Sequence, residues 1–276
     1  MPETVPPPAV LSRSPVARAR LRIVSYNVRR CYGLDGRYAP ERIAEVLAET
    51  GAQVVALQEL DVNRSRSGGV DQAMAIAAAL RMNLHFHPAM RVVEELYGDA
   101  ILSVLPLRLV KAGALPGPGG RWHMEPRGAL WVEARLPGAR VQILNTHFGL
   151  LSGERLQQAQ AILGPGWMGH PDCTGPAVLV GDLNSRPSSR AYRLLAAHLA
   201  DAQTLIPGPP RATFPTRWPL LRIDHAFVRG GVAVESVRVV RTGAARVASD
   251  HLPLCVDLSI PVTAEAATQP QMESVP

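Results

Sequence analysis

From Leu21 to Val28 the chain alternates apolar and polar side chains (LRIVSYNV), the period of a half-buried strand. It then turns through Arg29-Arg30-Cys31. The segment PERIAEVLAETG changes to helical spacing: Pro40 opens it, Ile43, Val46 and Leu47 share one face, and Gly51 stops it. AQVVALQEL reads as a strand, nearly all apolar until Gln58-Glu59. A loop rich in Asn, Arg, Ser and Gly leads into the helix DQAMAIAAALRM, for which Asp71 is the N-cap. From Leu84 strand patterns dominate: LHFHPAM, DAILSVLPL, LRLVKAGAL, GALWVEARL and RVQILNTHF, the last two joined at a Pro137-Gly138 turn. Helix GERLQQAQAIL, strand AVLVGDL and helix SSRAYRLLAAHL follow, and RIDHAFVRG, VAVESVRVV and LPLCVDLSI close the pattern as strands.

Several of these strands are apolar on both faces, so both sides need cover. Two sheets packed face to face, with helices on their outsides, meet that demand. No short repeat and no linker interrupts residues 20–260, so one domain over 21–260 is expected. The Pro/Arg-rich stretch 1–20 reads as a disordered arm and 261–276 as a disordered tail.

Composition narrows the class. A hydrophobic fraction of 47% in 276 residues supports a core. No apolar run approaches the ~20 residues that span a bilayer, and the N-terminal stretch holds no continuous apolar segment of the secretory kind. Three widely spaced cysteines make neither a disulfide framework nor a zinc knuckle, which fits a reducing cytoplasm. The net charge of +6 is carried almost wholly by Arg, Lys111 being the one lysine. That charge suits an anionic partner; with so much Ala, Gly and Pro, it suits a GC-rich genome equally.

Candidate chemistry sits where apolar strands end. Asn27 in SYNV, Glu59 in LQEL, His147 in NTHF, Asp182 and Asn184 in GDLN, and Asp250-His251 in SDHLPL all occupy such positions, while Asp224-His225 opens a strand. A carboxylate at a sheet rim is costly unless paired or bound to a cation. Any one of these turns has a plainer explanation, since Asp and Asn readily bond their own backbone. Their repetition along the chain is harder to explain that way.

SYNV, ALQELD, GDAILS, LNTHFGL, GDLNSRP, RIDHAFV and SDHLPL stand in one order over ~230 residues, and in this the chain resembles the endonuclease/exonuclease/phosphatase superfamily. The resemblance implies an α+β fold, a four-layer α/β/β/α sandwich of two mixed, mostly antiparallel sheets flanked by helices. It also implies a phosphoesterase dependent on Mg²⁺ or Mn²⁺, with Glu59 on the cation, Asn27 beside it, and Asp250 serving the metal or the histidine. Asp182 would hold or deprotonate the attacking water, and Asn184 would bond a phosphate oxygen. His251, partnered by Asp224, would neutralise charge on the phosphoryl oxygens, and His147 would protonate the leaving oxygen or else be a buried core histidine. His225 falls on the opposite face of a regular strand and reads as structural.

Other positions stay open. Asp99 stands where many relatives have Asn, as a second cation contact or as a replacement for an amide. Arg217 and Trp218 either clamp phosphate and stack on a base or headgroup, or belong to a Pro-braced surface loop. Arg64 and Arg66 lie in the Gly-permissive NRSRSGG, which would cover the phosphate. The substrate expected is a nucleic acid, with a phospholipid or inositol phosphate at a membrane surface as the alternative. A non-catalytic phosphate-binding relative is the third reading, opposed by the joint presence of Glu59, Asp182 and His251.

Overall fold

In chain order the elements are β1 (Arg18–Asn27), α1 (Pro40–Ala48), β2 (Val54–Val62), α2 (Gln72–Leu80), β3 (Asn83–Val92), β4 (Glu95–Ser103), β5 (Leu107–Ala114) and β6 (Gly128–Leu136). There follow β7 (Ala139–His147), α3 (Ser152–Leu163), β8 (Ala177–Asp182), α4 (Arg190–Ala196), β9 (Ala200–Asp201), β10 (Asp224–Arg229), β11 (Ala233–Val239), α5 (Ala245–Ala248) and β12 (Leu254–Pro261). This computed structural model describes residues 17–92, 95–117 and 125–262. Most of the expected arm and tail lies outside the described residues. Strand β1 starts at Arg18, ahead of the expected Leu21, because its backbone pairs with Pro261 and its guanidinium reaches Ser259 Oγ and the Gly231 carbonyl, each at 2.7 Å.

Two six-stranded mixed sheets form, ordered β11-β12-β1-β2-β4-β3 and β5-β6-β7-β8-β10-β9. The period-2 pattern explains how they stack. Leu130, Val132, Val178, Val180, Ala226 and Val228 join the first sheet's residues in one core. Their chain neighbours Trp131, Leu179 and Phe227 point the other way, into a second core with Ala159 and Ile162 of α3 and Leu195 of α4. Helices α1 and α2 cover the first sheet through Ile43, Val46, Leu47 and Ile76. Asp71 caps α2 as expected, accepting the Met74 N–H at 2.9 Å.

Each sheet contains one parallel pair, β1/β2 and β7/β8. A parallel pair needs a crossover, which α1 and α3 supply. The polar residues expected at strand ends sit at the carboxyl ends of these pairs: Asn27 opposite Gln58, and His147 opposite Asp182. Antiparallel β10 brings its first residue, Asp224, alongside Asp182.

A polar bridge crosses between the sheets just below these ends. The fully buried Asn145 donates to the carbonyls of Leu57 (2.8 Å) and Ala100 (3.0 Å) and accepts from Gln58 Nε2 at 2.7 Å. Buried amides are tolerated only when satisfied in this way.

Candidate active site

Local backbone features aim the side chains. The β2/β4 register shifts between Leu57 and Leu60, and within that bulge Glu59 takes φ 62°. A bulge re-aims one side chain out of the pleat; here it leaves the Glu59 side chain 22% exposed on a strand otherwise almost wholly buried. Gly181 (φ +146°) lets β8 pass so close to β7 that a Cβ there would lie 1.8 Å from the Thr146 carbonyl oxygen. The turn after it is a true Asx turn, with Asp182 Oδ1 accepting the Asn184 N–H at 2.8 Å. Asp182 Oδ2 remains for other contacts.

Those contacts unite the two sheets. The Asn27 amide donates to Glu59 Oε1 and to Asp182 Oδ2, each at 3.0 Å, while its oxygen accepts the Arg29 N–H. Ser249 Oγ donates to the Asn27 carbonyl (2.8 Å) and accepts the His251 N–H (3.2 Å), fixing the SDH loop against β1. His251 Nδ1 lies 2.9 Å from Asp224 Oδ2, and Nε2 lies 3.6 Å from Asp182 Oδ2. Thr213 Oγ1 donates to the same Asp224 oxygen.

Electrostatics then assigns charge states. Burial opposes a charge on His251, but Asp224 and Asp182 overcome it and lift its pKa to about 10. The ring is an imidazolium between two carboxylates. Atoms of Asp182, Asp224 and His251 lie within 4.8 Å of one another, a group of oxygen and nitrogen donors close enough to share one cation. Burial and the neighbouring Asp224 raise the Asp182 pKa. Burial also lifts Asp99 to about 7, with Arg127 opposing.

His147 behaves differently. Its Nδ1 faces Arg127 Nη1 and its Nε2 faces Asn184 Nδ2, both at 3.1 Å. A neutral ring offers one lone pair to these N–H groups and an imidazolium offers none. Burial, Arg127 and His251 accordingly push its pKa well below the usual value. The same Nε2 lies 3.5 Å from Asp182 Oδ2 and 4.0 Å from Glu59 Oε1, so the ring is buried yet borders both carboxylates.

The cleft at this end holds about 210 Å³. Glu59, His147, Asp182, Asn184 and His251 line it, as expected. Arg30, Tyr97, Glu125, Arg127 and Leu150 line it as well, and the strand-end pattern had not flagged them. Asp99, 3% exposed, lies behind the wall in the field of Glu59 and Arg127.

Other candidates sit elsewhere. Asp250, expected to serve the metal or the histidine, pairs its carboxylate with Arg29 at 3.3 Å outside the cleft lining, and its charge helps to raise the His251 pKa. Arg64 and Arg66 are tied to Glu95 (3.2 Å) and Asp61 (2.6 Å), so neither covers the cleft. Arg217 and Trp218 project from a loop bridged at Phe214 and Leu221, with Trp218 77% exposed; they do not line the cleft, although Phe214 packs on His251 at 4.7 Å. His225 points away from the cleft, its Nε2–H donating to the Ser185 carbonyl at 2.7 Å and its ring lying 5.0 Å from that of Tyr192.

The donor set suits a hard divalent ion. Glu59 presents a carboxylate with no Lys or Arg within 4.0 Å among the described residues, and Asp182 adds a second oxygen donor beside it. Such oxygen ligands in a wet cleft fit Mg²⁺, which keeps several waters.

A family model described as Endonuclease/Exonuclease/phosphatase family matches residues 24–251. Uncharacterized protein YbhP of Escherichia coli (strain K12) is 29% identical over 168 residues, covering 59% of this chain. The match takes in 63% of that relative's own length. Among solved structures, an endonuclease/exonuclease/phosphatase from Beutenbergia cavernae DSM 12333 superposes with TM-score 0.72 at 22% identity, covering 88% of this chain and 72% of that one. A mannosyl-6-phosphatase of Bacteroides thetaiotaomicron VPI-5482 superposes with TM-score 0.67 at 20% identity, over 86% of this chain and 99% of that one. At these identities the likeness is one of fold.

Proposed function

Because the chain belongs to the endonuclease/exonuclease/phosphatase family, whose members act as phosphoesterases, we propose that it hydrolyses a phosphoester by in-line attack of water with Mg²⁺ or Mn²⁺ bound, nucleic acid being the favoured substrate. The observation that carries this reading is the convergence of Asn27, Glu59, Asp182 and His251 at one cleft, Asn27 bonding both carboxylates at 3.0 Å.

Glu59 would hold the cation with help from Asp182, and the bound ion would supply Lewis-acid charge to the phosphoryl oxygens. Asp182 orients the attacking water and takes its proton; burial and Asp224 raise its pKa to about 7, near the working range of a general base, while the His251 charge and the Asn27 amide oppose that rise. His251 also offers positive charge where it builds on the phosphoryl oxygens, the principal device in phosphoryl transfer. Asp224 holds the proton on Nδ1 and thereby aims Nε2 into the cleft. Asn184, anchored to the Phe148 carbonyl at 2.9 Å, keeps its left-handed turn (φ 46°) and points its amide at the same place.

The test is release of p-nitrophenol from bis(p-nitrophenyl) phosphate with Mg²⁺ or Mn²⁺, with and without EDTA, beside D182N. Hydrolysis that EDTA stops, lost at least ~10³-fold in D182N with the fold intact, supports the reading. Turnover by D182N removes Asp182 from the mechanism.

One observation favours a second reading, a phospholipid or inositol-phosphate hydrolase working at a membrane. Trp218 and Leu220 are 77% and 80% exposed on the loop that packs against His251. Among the described residues no helix is long and apolar enough to cross a membrane. Flotation with anionic vesicles separates the readings: co-flotation lost in W218A favours the membrane, and no flotation favours nucleic acid.

A further inference from the structure

We infer that Arg30 is the phosphate anchor of this cleft, a guanidinium reserved for anionic oxygens of the substrate. The inference rests on the phosphoesterase reading and adds a specificity-determining residue to it.

Arginines around the site differ in one respect. Arg29 pairs with Asp250, Arg64 with Glu95, Arg66 with Asp61, and Arg127 with Glu125 at 3.3 Å. Arg30 lines the cleft and, among the described residues, has no carboxylate within 4.0 Å and no hydrogen bond from its guanidinium; its Nε is buried without a partner. A half-buried guanidinium left without an anion, in a protein that pairs its neighbours, is chemically incomplete. Its planar fork matches two oxygens of one phosphate.

The backbone holds it there against preference. Arg29, Arg30 and Cys31 take φ 48°, 59° and 56°, three successive left-handed residues, none of them Gly or Asn. L-residues with a Cβ disfavour that region. The turn is clamped by Gln72, fully buried, whose Nε2 donates to the Arg30 carbonyl at 2.6 Å while its Oε1 accepts the Asp61 N–H at 3.0 Å. An over-determined, disfavoured conformation beside a cleft is the mark of a side chain held for use. The ligand is a phosphate group, either the scissile one or a neighbouring one on the same substrate.

The decisive variant is R30N, because Asn enters the left-handed region readily while losing the charge. R30K keeps the charge and loses the fork. Three readouts are needed: the melting temperature, inorganic phosphate binding by calorimetry, and kinetics on two esters. One ester is bis(p-nitrophenyl) phosphate; the other is a thymidine 5′-(p-nitrophenyl phosphate) carrying a 3′-phosphate.

R30N is expected to melt at or above the wild-type temperature and to bind inorganic phosphate about ten- to a hundredfold more weakly. KM should rise with kcat within about threefold, and R30K should fall between. A KM rise for both esters places Arg30 on the scissile phosphate; a rise for the 3′-phosphorylated ester alone places it on the neighbour. Unchanged phosphate affinity in R30N, or no phosphate binding by the wild-type chain at ~10 mM, overturns the inference. So does a lowered melting temperature with unchanged KM, which marks a structural arginine. If the wild-type chain cleaves neither ester yet R30N still weakens phosphate binding, the phosphoesterase reading fails and the anchor stands.

Discussion

Asp224→Asn tests the charge relay directly. Asp224 Oδ2 stands 2.9 Å from His251 Nδ1. At an effective dielectric of ~20, two unit charges so placed attract by about 6 kcal/mol, equivalent to about four pKa units. That is the size needed to overcome burial and carry His251 from 6.5 to about 10. Asn keeps the shape and can still accept from Nδ1, but the attraction is gone. Burial then weighs more heavily, and with Asp182 still 3.6 Å from Nε2 the His251 pKa should fall from about 10. Between that lowered value and about pH 10 the ring passes from charged to neutral, and kcat there should fall about 10²-fold, the loss typical of one oxyanion-stabilising donor.

The assay is histidine side-chain NMR across pH 5–11, beside the kcat–pH profile. In the wild-type chain the His251 signal should stay that of an imidazolium to about pH 10. A raised folded-state pKa also fixes the sign of its stability contribution. That contribution is complete below pH 6.5, declines as pH rises, and is lost once pH passes about 10. A wild-type His251 titrating near 6.5, or an unmoved titration in D224N, refutes the reasoning.

Three further outcomes are expected. E59Q should raise the Mn²⁺ dissociation constant about 10²-fold in calorimetry with the melting temperature little changed; unaltered affinity would place the cation elsewhere. G181A should destabilise by about 3 kcal/mol or more in urea unfolding, since its Cβ would lie 1.8 Å from the Thr146 oxygen, and a change under ~0.5 kcal/mol would contradict that contact. D201N should cost about 3–5 kcal/mol, because the buried Arg222, 2.6 Å away, loses its partner. Burial works against the Asp201 charge, but His225, Tyr192 and Arg222 hold its pKa at about 2, so its contribution is present above pH ~4 and lost as pH falls through about 2; acid unfolding that is the same in D201N would contradict this.

What the sequence revealed follows from where the information lies. His147 and Asp182 were legible because each ends an apolar strand of one parallel pair, and Glu59 because it breaks an apolar run, at what proves to be a bulge; His251 sits in the loop that leads into β12. The two sheets were legible because Val178, Val180, Leu179 and their like are apolar on both parities. Arg30 and Arg127 were not, because nothing in the local sequence separates them from the chain's other arginines; only their place in the folded cleft does. The Arg29 partner of Asp250 was hidden for the complementary reason, since nothing beside His251 in the chain announces it. The surroundings of His147 were hidden too, since they are set by Arg127, twenty positions earlier, and by the Asn184 turn.

The Asn145 bridge has a mechanical consequence. Oily layers attract without direction, so on apolar contact alone one sheet would drift sideways over the other at small cost. Glu59 and Asn27 ride on one layer, Asp182 and His147 on the other, and a drift of an ångström would spoil their alignment. The amide of Asn145, gripping the Leu57 and Ala100 carbonyls, acts as a dowel that sets the clearance between the two halves of the catalytic machinery.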